Sequence, residues 1–268
     1  MPAVDAPDQP DSTDLGLPSS LRATRSGSVA VLTLNRPAKR NAIDDATLLG
    51  LERFFTTLPD DIACVVLAAE GEHFCSGLDL SEMAERDTLA GVRHSRMWHR
   101  VFEQIEFGPV PVISSLKGAV VGGGLELAAA THLRVAERST FYGLPEGMRG
   151  IFVGGGASVR VPRLIGVARM ADLMLTGRRY DAEEGASIGL SQYVVDEGTG
   201  LDVCLQLAGR IAQNATQTNF AIIQALPRIA EANPREGYFM EAMMAAIAQG
   251  TDDAKARMQA FLDGRAER

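Results

Sequence analysis

From about Arg22 to Leu34 apolar and polar residues alternate with a period of two, and Val29, Val31, Leu32 and Leu34 are β-prone, which predicts a strand. Arg36-Pro37 ends it. Between Asp44 and Leu58 the period lengthens, with Leu48, Leu51, Phe54 and Phe55 at helical spacing and Pro59 as the stop. Cys64 to Ala69 is an unbroken apolar run, the mark of a strand buried on both faces. A helical stretch carrying Trp98, Val101, Phe102 and Ile105 leads to a second such run, Val110 to Leu116. Leu133–Ala136 and Gln192–Val195 continue the alternation. Strands separated by helices predict an α/β architecture with parallel pairing. From Val203 onward glycine is sparse and Leu205, Leu207, Ile211, Phe239, Met243, Met244 and Ile247 recur at helical spacings, predicting a helical C-terminal region over 203–268. The core domain then spans 21–202. Residues 1–20, rich in Pro, Asp and Ser, are expected to form a disordered tail.

Three segments place glycine where neither a helix nor a strand favours it: His73–Leu80, Gly118–Leu127 and Gly150–Ser158. In the second, a strand ends, glycines follow, and Leu125-Glu126-Leu127-Ala128-Ala129-Ala130 is a strong helix former. Such a junction exposes unpaired backbone N–H groups at the positive end of a helix, suited to a phosphate or to an oxyanion formed during reaction. The plainer alternative is that these glycines only permit a tight turn and close packing. A dinucleotide fingerprint fails on detail, because no GxG follows a first strand and no acidic residue closes the next one. A nucleophile elbow is absent too, since Cys75-Ser76-Gly77 lacks the glycine before the serine.

Composition narrows the partners. Of 268 residues, 46% are hydrophobic and 22% charged, enough to bury a sizeable core, and the formal net charge is -8. An acidic surface argues against nucleic acid and anionic membranes, and no apolar run is long enough to span a bilayer. Asp5, Asp8, Asp11 and Asp14, with no Lys or Arg among the first twenty residues, argue against a secretory or transit peptide, so the expected location is cytoplasmic. Three cysteines without CxxC spacing and four histidines without a zinc motif predict neither disulfides nor a metal site.

The motifs in order resemble the enoyl-CoA hydratase/isomerase (crotonase) family. Asn35–Ala42 looks like the N-terminal signature, Phe74–Leu80 like the first oxyanion loop, and Gly118–Leu127 like the second. Phe141–Glu146 looks like the segment carrying a second acid. Leu175-Thr176-Gly177, Asp181–Glu184, Gly189-Leu190, Asp253–Lys255 and Phe261-Leu262 follow as further landmarks. The resemblance runs from about Val29 to Leu262. It implies a crotonase-like fold of repeated ββα turns in two roughly perpendicular sheets with a helical C-terminal region, assembled as trimers or hexamers. It also implies an acyl-CoA substrate, with coenzyme A part of that substrate and no separate cofactor.

By the same resemblance, the backbone N–H groups of Leu78 and Gly123 form the oxyanion hole, and Glu126 and Glu146 divide the proton work of hydration. Lys39 and Arg40 are candidates for the CoA phosphates, and Ala42, Cys75, Ser76, Gly77, Asp79, Leu80 and Gly122 for the rest of the substrate site. Read without the resemblance, the glutamates are ordinary surface residues and Lys39-Arg40 a solvated pair. Retention of both acids favours hydration. A crotonase-type isomerase or dehydratase acting on a more polar acyl-CoA, and a CoA-binding scaffold without turnover, are the alternatives. Two departures stand out. Gly147–Val153 replaces the usual aliphatic residues and proline, bringing in Arg149, and Asp263-Gly264-Arg265 lacks the family's C-terminal lysine.

Overall fold

The computed structural model describes residues 15–82 and 87–263. The single strand expected over 22–34 is instead a hairpin, β1 (Leu21–Ser26) and β2 (Val29–Leu34), paired antiparallel. Alternation continues through the turn, so periodicity does not report it; Gly27, at φ +57°, does. Helix α1 (Asp45–Thr56) begins where expected, with the Asp44 side chain accepting from the Thr47 N–H at 2.7 Å. It is followed by β3 (Cys64–Ala69), α2 (Thr88–Glu106), β4 (Val112–Leu116), β5 (Ala119–Val121), α3 (Gly123–Ala130), β6 (Leu133–Glu137) and β7 (Phe141–Gly143). The chain continues through α4 (Ala157–Ile165), α5 (Val167–Thr176), β8 (Arg179–Asp181), α6 (Ala182–Ile188) and β9 (Tyr193–Val195). Helices α7 (Gly200–Ala212), α8 (Thr216–Glu231), α9 (Pro234–Gln249) and α10 (Asp252–Leu262) complete it.

Six strands form one sheet in the order β1-β2-β3-β4-β6-β9, parallel in every pairing except β1–β2, and β5-β7-β8 form a second, three-stranded sheet. The apolar runs explain the layering. Every residue of β3 is buried: Val65 and Leu67 face the main core, with Leu48, Leu51, Val101 and Phe102 of α1 and α2. Cys64, Val66 and Ala68 face a second cluster covered by Cys204 and Ala208 of α7. Burying each such aliphatic side chain contributes about 1.5–3 kcal/mol before the entropic cost of ordering it.

Two expected boundaries shift because of packing. Of the tail expected over 1–20, residues 15–20 lie on the core: Leu15 and Leu17 pack against it and the Ser20 hydroxyl accepts from Thr47 at 2.7 Å. The remainder, with Asp5, Asp8, Asp11 and Asp14, lies outside the described residues, as does Arg265. The helical region expected from 203 begins inside α7, and α7 belongs to the core because it seals one face of the large sheet. Helices α8 and α9 pack on each other, and Gln224 of α8 donates to the Phe107 and Gly108 carbonyls at 2.6 and 3.0 Å. No helix among the described residues is long and apolar enough to cross a membrane.

Candidate active site

The two glycine-rich loops meet edge to edge. Cys75 bridges to Val120 in parallel, its N–H donating to the Ala119 carbonyl at 2.9 Å while the Val121 N–H donates back to Cys75 at 3.1 Å. On the other side Ile43 bridges to Leu78, and the Ser76 N–H donates to Arg40 at 3.0 Å. These bonds carry the first loop alongside β5 and bring Leu78 next to the start of α3. A methyl group on Gly123 would lie 3.3 Å from the Leu78 nitrogen and 3.0 Å from the Trp98 ring. Gly122, at φ +55°, makes the turn from β5 into α3, and a side chain there would meet the Glu146 carboxylate at 2.8 Å. Among the described residues neither the Leu78 nor the Gly123 N–H has a protein acceptor. The two donors therefore sit together, unengaged, at the positive end of a buried helix.

They open onto a cavity of about 490 Å³ whose wall also holds Glu126 and Glu146. Glu126 stands in the first turn of α3 and is 4% exposed. One carboxylate oxygen accepts from the Gly155 and Ala157 N–H groups, at 2.8 and 3.0 Å. Burial pushes this carboxyl above its ordinary value, against the opposing pull of those two N–H groups and of the Arg160 charge. Glu146 follows β7 and is 7% exposed, and its Oε2 is buried without a hydrogen-bond partner. Burial first, and then the Glu126 charge, raise its pKa, while Arg149 pulls the other way. Two carboxyls of raised proton affinity thus share one cavity with two unused N–H donors, the equipment for moving protons beside a stabilised oxyanion.

Among the other candidates, Ser76, Gly77, Leu80 and Gly122 line the cavity, and the remaining ones do not. Cys75 is wholly buried, with its thiol pushed up to about 12 by burial, and its sulfur accepts from the Gly77 N–H at 3.4 Å within the loop. Asp79 is also buried. Hydrogen bonds from Ser81, together with Arg36 at 2.9 Å, hold its carboxyl down to about 2. It braces the loop from behind. Ala42 is buried, and its carbonyl accepts from Arg36 at 2.7 Å. Lys39 and Arg40 are exposed next to Ser76, and the Arg40 backbone takes the left-handed φ of +50°.

Three contributors escaped the motif reading. Trp98 stands out in the sequence only as part of a helical stretch, yet its ring lines the cavity and presses on Gly123 and Gly155. Ser95, one turn earlier on α2, bonds to the Gly154 carbonyl. Arg160 is buried and donates to Glu106 at 2.6 Å and to the Gly155 carbonyl at 3.1 Å, fixing the turn that holds Glu126. The third glycine segment was the available signal, because a run of glycines before a helix marks close approach to something.

The sequence model of the enoyl-CoA hydratase/isomerase family matches residues 24–268. The chain is 31% identical over 244 residues to the short-chain-enoyl-CoA hydratase of Clostridium acetobutylicum, covering 90% of this chain and 94% of that one. It is 32% identical over 251 residues to the 2,3-dehydroadipyl-CoA hydratase of Escherichia coli, covering 92% and 97%. Among solved structures, one from Rhodopseudomonas palustris CGA009, provisionally named an enoyl-CoA hydratase, superposes with a TM-score of 0.90 at 55% identity, covering 97% and 98%. An enoyl-CoA hydratase from Bacillus anthracis gives 0.87 at 31%, covering 93% and 98%. With the fold, the paired loops and the match in agreement over nearly its whole length, the chain belongs to the enoyl-CoA hydratase/isomerase family.

Proposed function

We propose that the protein is an enoyl-CoA hydratase that adds water across the 2,3 double bond of a trans-2-enoyl-CoA thioester. The observation that carries this reading is the pair of buried carboxyls, Glu126 and Glu146, facing one cavity beside the free N–H groups of Leu78 and Gly123. With the thioester oxygen between those two donors, charge that builds on it during addition is held by fixed dipoles. One carboxylate takes a proton from water as the water oxygen bonds to C3. The other carboxyl delivers a proton to C2, and the double bond becomes single. Dehydration runs the same steps backward, with the two acids exchanging roles. Raised proton affinity suits the task, since one group must be ionised and its neighbour protonated near neutral pH.

Lys39 and Arg40, exposed beside the Ser76 loop, supply positive charge for the CoA phosphates in this reading. Assembly as a homotrimer or hexamer and a cytoplasmic location belong to the same proposal. Large apolar side chains exposed on the last helices support the first, and three buried free cysteines the second.

The test is the loss of conjugated-thioester absorbance when the protein meets short- and medium-chain trans-2-enoyl-CoA. The expected result is rapid loss, slowed about a hundred- to ten-thousandfold in both Glu126→Gln and Glu146→Gln. A decline in only one variant would favour an isomerase. A folded protein that binds CoA without any loss of absorbance would leave the scaffold reading.

A further inference from the structure

Arg149 sits three residues beyond Glu146 in a short turn, Gly147–Arg149, whose backbone is fixed. The Arg149 and Ile151 N–H groups donate to the Glu146 carbonyl at 3.0 and 3.1 Å, and a side chain on Gly147 would strike the Met174 carbonyl of α5. Among the described residues Arg149 is the one Lys or Arg in the cavity wall. Among the described residues it makes no ion pair or side-chain hydrogen bond, and its charge acts on Glu146. Arg149 is exposed at the cavity wall, whereas the buried and half-buried arginines are spoken for: Arg25 by Asp61, Arg36 by Asp44 and Asp79, Arg134 by backbone carbonyls, Arg160 by Glu106. The cavity wall also carries the apolar side chains of Leu80, Val92, Ile151 and Phe152, beside the polar Thr88, His94 and Ser95. A plain hydrocarbon chain uses that wall and has nothing to offer the guanidinium. An anionic chain end needs it, because a carboxylate entering a cavity with two acids, in a protein of net charge -8, is otherwise repelled.

We propose that Arg149 reads an anionic group at the far end of the acyl chain, making ω-carboxylated enoyl-CoA thioesters the preferred substrate class; this rests on the enoyl-CoA reading above. A planar guanidinium on an anchored turn suits a terminal carboxylate through two parallel N–H···O bonds. The same chemistry would also recognise a CoA phosphate, and the experiment separates the two sources.

Calorimetry with free CoA, hexanoyl-CoA and adipyl-CoA compares ligands that differ only in the acyl group and its terminus, and none of them can be hydrated. Binding is therefore read independently of turnover, and an inactive protein that still prefers adipyl-CoA would sink the hydratase reading while leaving this one standing. The wild type is expected to bind adipyl-CoA about tenfold more tightly than hexanoyl-CoA, the lower range for a charge-assisted bond because Arg149 is exposed. Arg149→Met should erase that ratio and Arg149→Lys should keep part of it. Equal affinity for the two acyl-CoAs in the wild type would overturn the proposal. So would an Arg149→Met variant that weakens all three ligands alike, which would assign Arg149 to the phosphates.

Discussion

Glu146 is costly to the folded protein in its ionised form. Its Oε2 is buried without a partner, and its pKa is raised from an ordinary 4.5 by burial and by the Glu126 charge. The folded chain therefore holds a proton on this group over a pH range where the unfolded chain has released it. Stability from this group is fully present below about 4.5 and is lost as pH rises through the higher folded value. Glu146→Gln carries no such charge. The melting temperature of the variant relative to wild type should rise as pH climbs above about 4.5 and level off only once the raised folded value has been passed. Differential scanning calorimetry across that range checks it, and a gap independent of pH would mean that Glu146 ionises as freely in the fold as in water. A site that is stabilised when its acid is removed is one where stability has been given up for proton transfer.

At the scale of elements, the turn before α4 decides how Glu126 is held. Its Gly155 and Ala157 N–H groups bond the carboxylate, and Arg160 ties the Gly155 carbonyl to Glu106 at the end of α2. Arg160→Met leaves Glu106 half-buried without its partner and should cost about 2 kcal/mol in denaturant unfolding. Arg160 also helps keep Glu126 ionised, so the acid limb of kcat/KM should move to higher pH in the variant, a change that loss of packing alone would not produce. This tie was not legible in the sequence, because Arg160 and Glu106 lie 54 positions apart and neither sits in a motif. What was legible followed local physics. Cys64–Ala69 and Val112–Leu116 announce themselves as buried strands because both faces are covered. The glycines of the two loops announce close backbone approach, and Glu126 and Glu146 sit at fixed places beside them. The hairpin was read as one strand because alternation persists across Gly27. Strands β5, β7 and β8 have three residues each, too few for any period, and exist only through their pairing with one another. Trp98 stands at helical spacing with Val101, Phe102 and Ile105 and packs with them in the core, yet it is also cavity wall, a distinction made by what lies opposite it.

At the scale of the whole molecule, the last three helices carry many large apolar side chains on exposed positions. Phe220, Leu226, Tyr238, Phe239, Met258, Phe261 and Leu262 are each at least half exposed on α8, α9 and α10. Scattered apolar residues need no explanation, but a concentration of large ones in one region marks a surface to be covered. The core is complete without these side chains, since both faces of the large sheet are already sealed by α1, α2 and α7. In the proposed trimer or hexamer another copy of the chain covers them, and each side chain so buried would contribute about 1.5–3 kcal/mol before association costs. Light scattering should give a mass three or six times that of the chain. Phe239 and Met243 lie four residues apart on α9 and so share a face, and both are exposed. Phe239→Asp with Met243→Asp should shift the mass toward that of one chain while leaving the far-ultraviolet circular dichroism of the core intact. A wild-type protein that scatters as a single chain at micromolar concentration would mean that this surface stays bare, and the assembly expected from the family would have to be given up for this member.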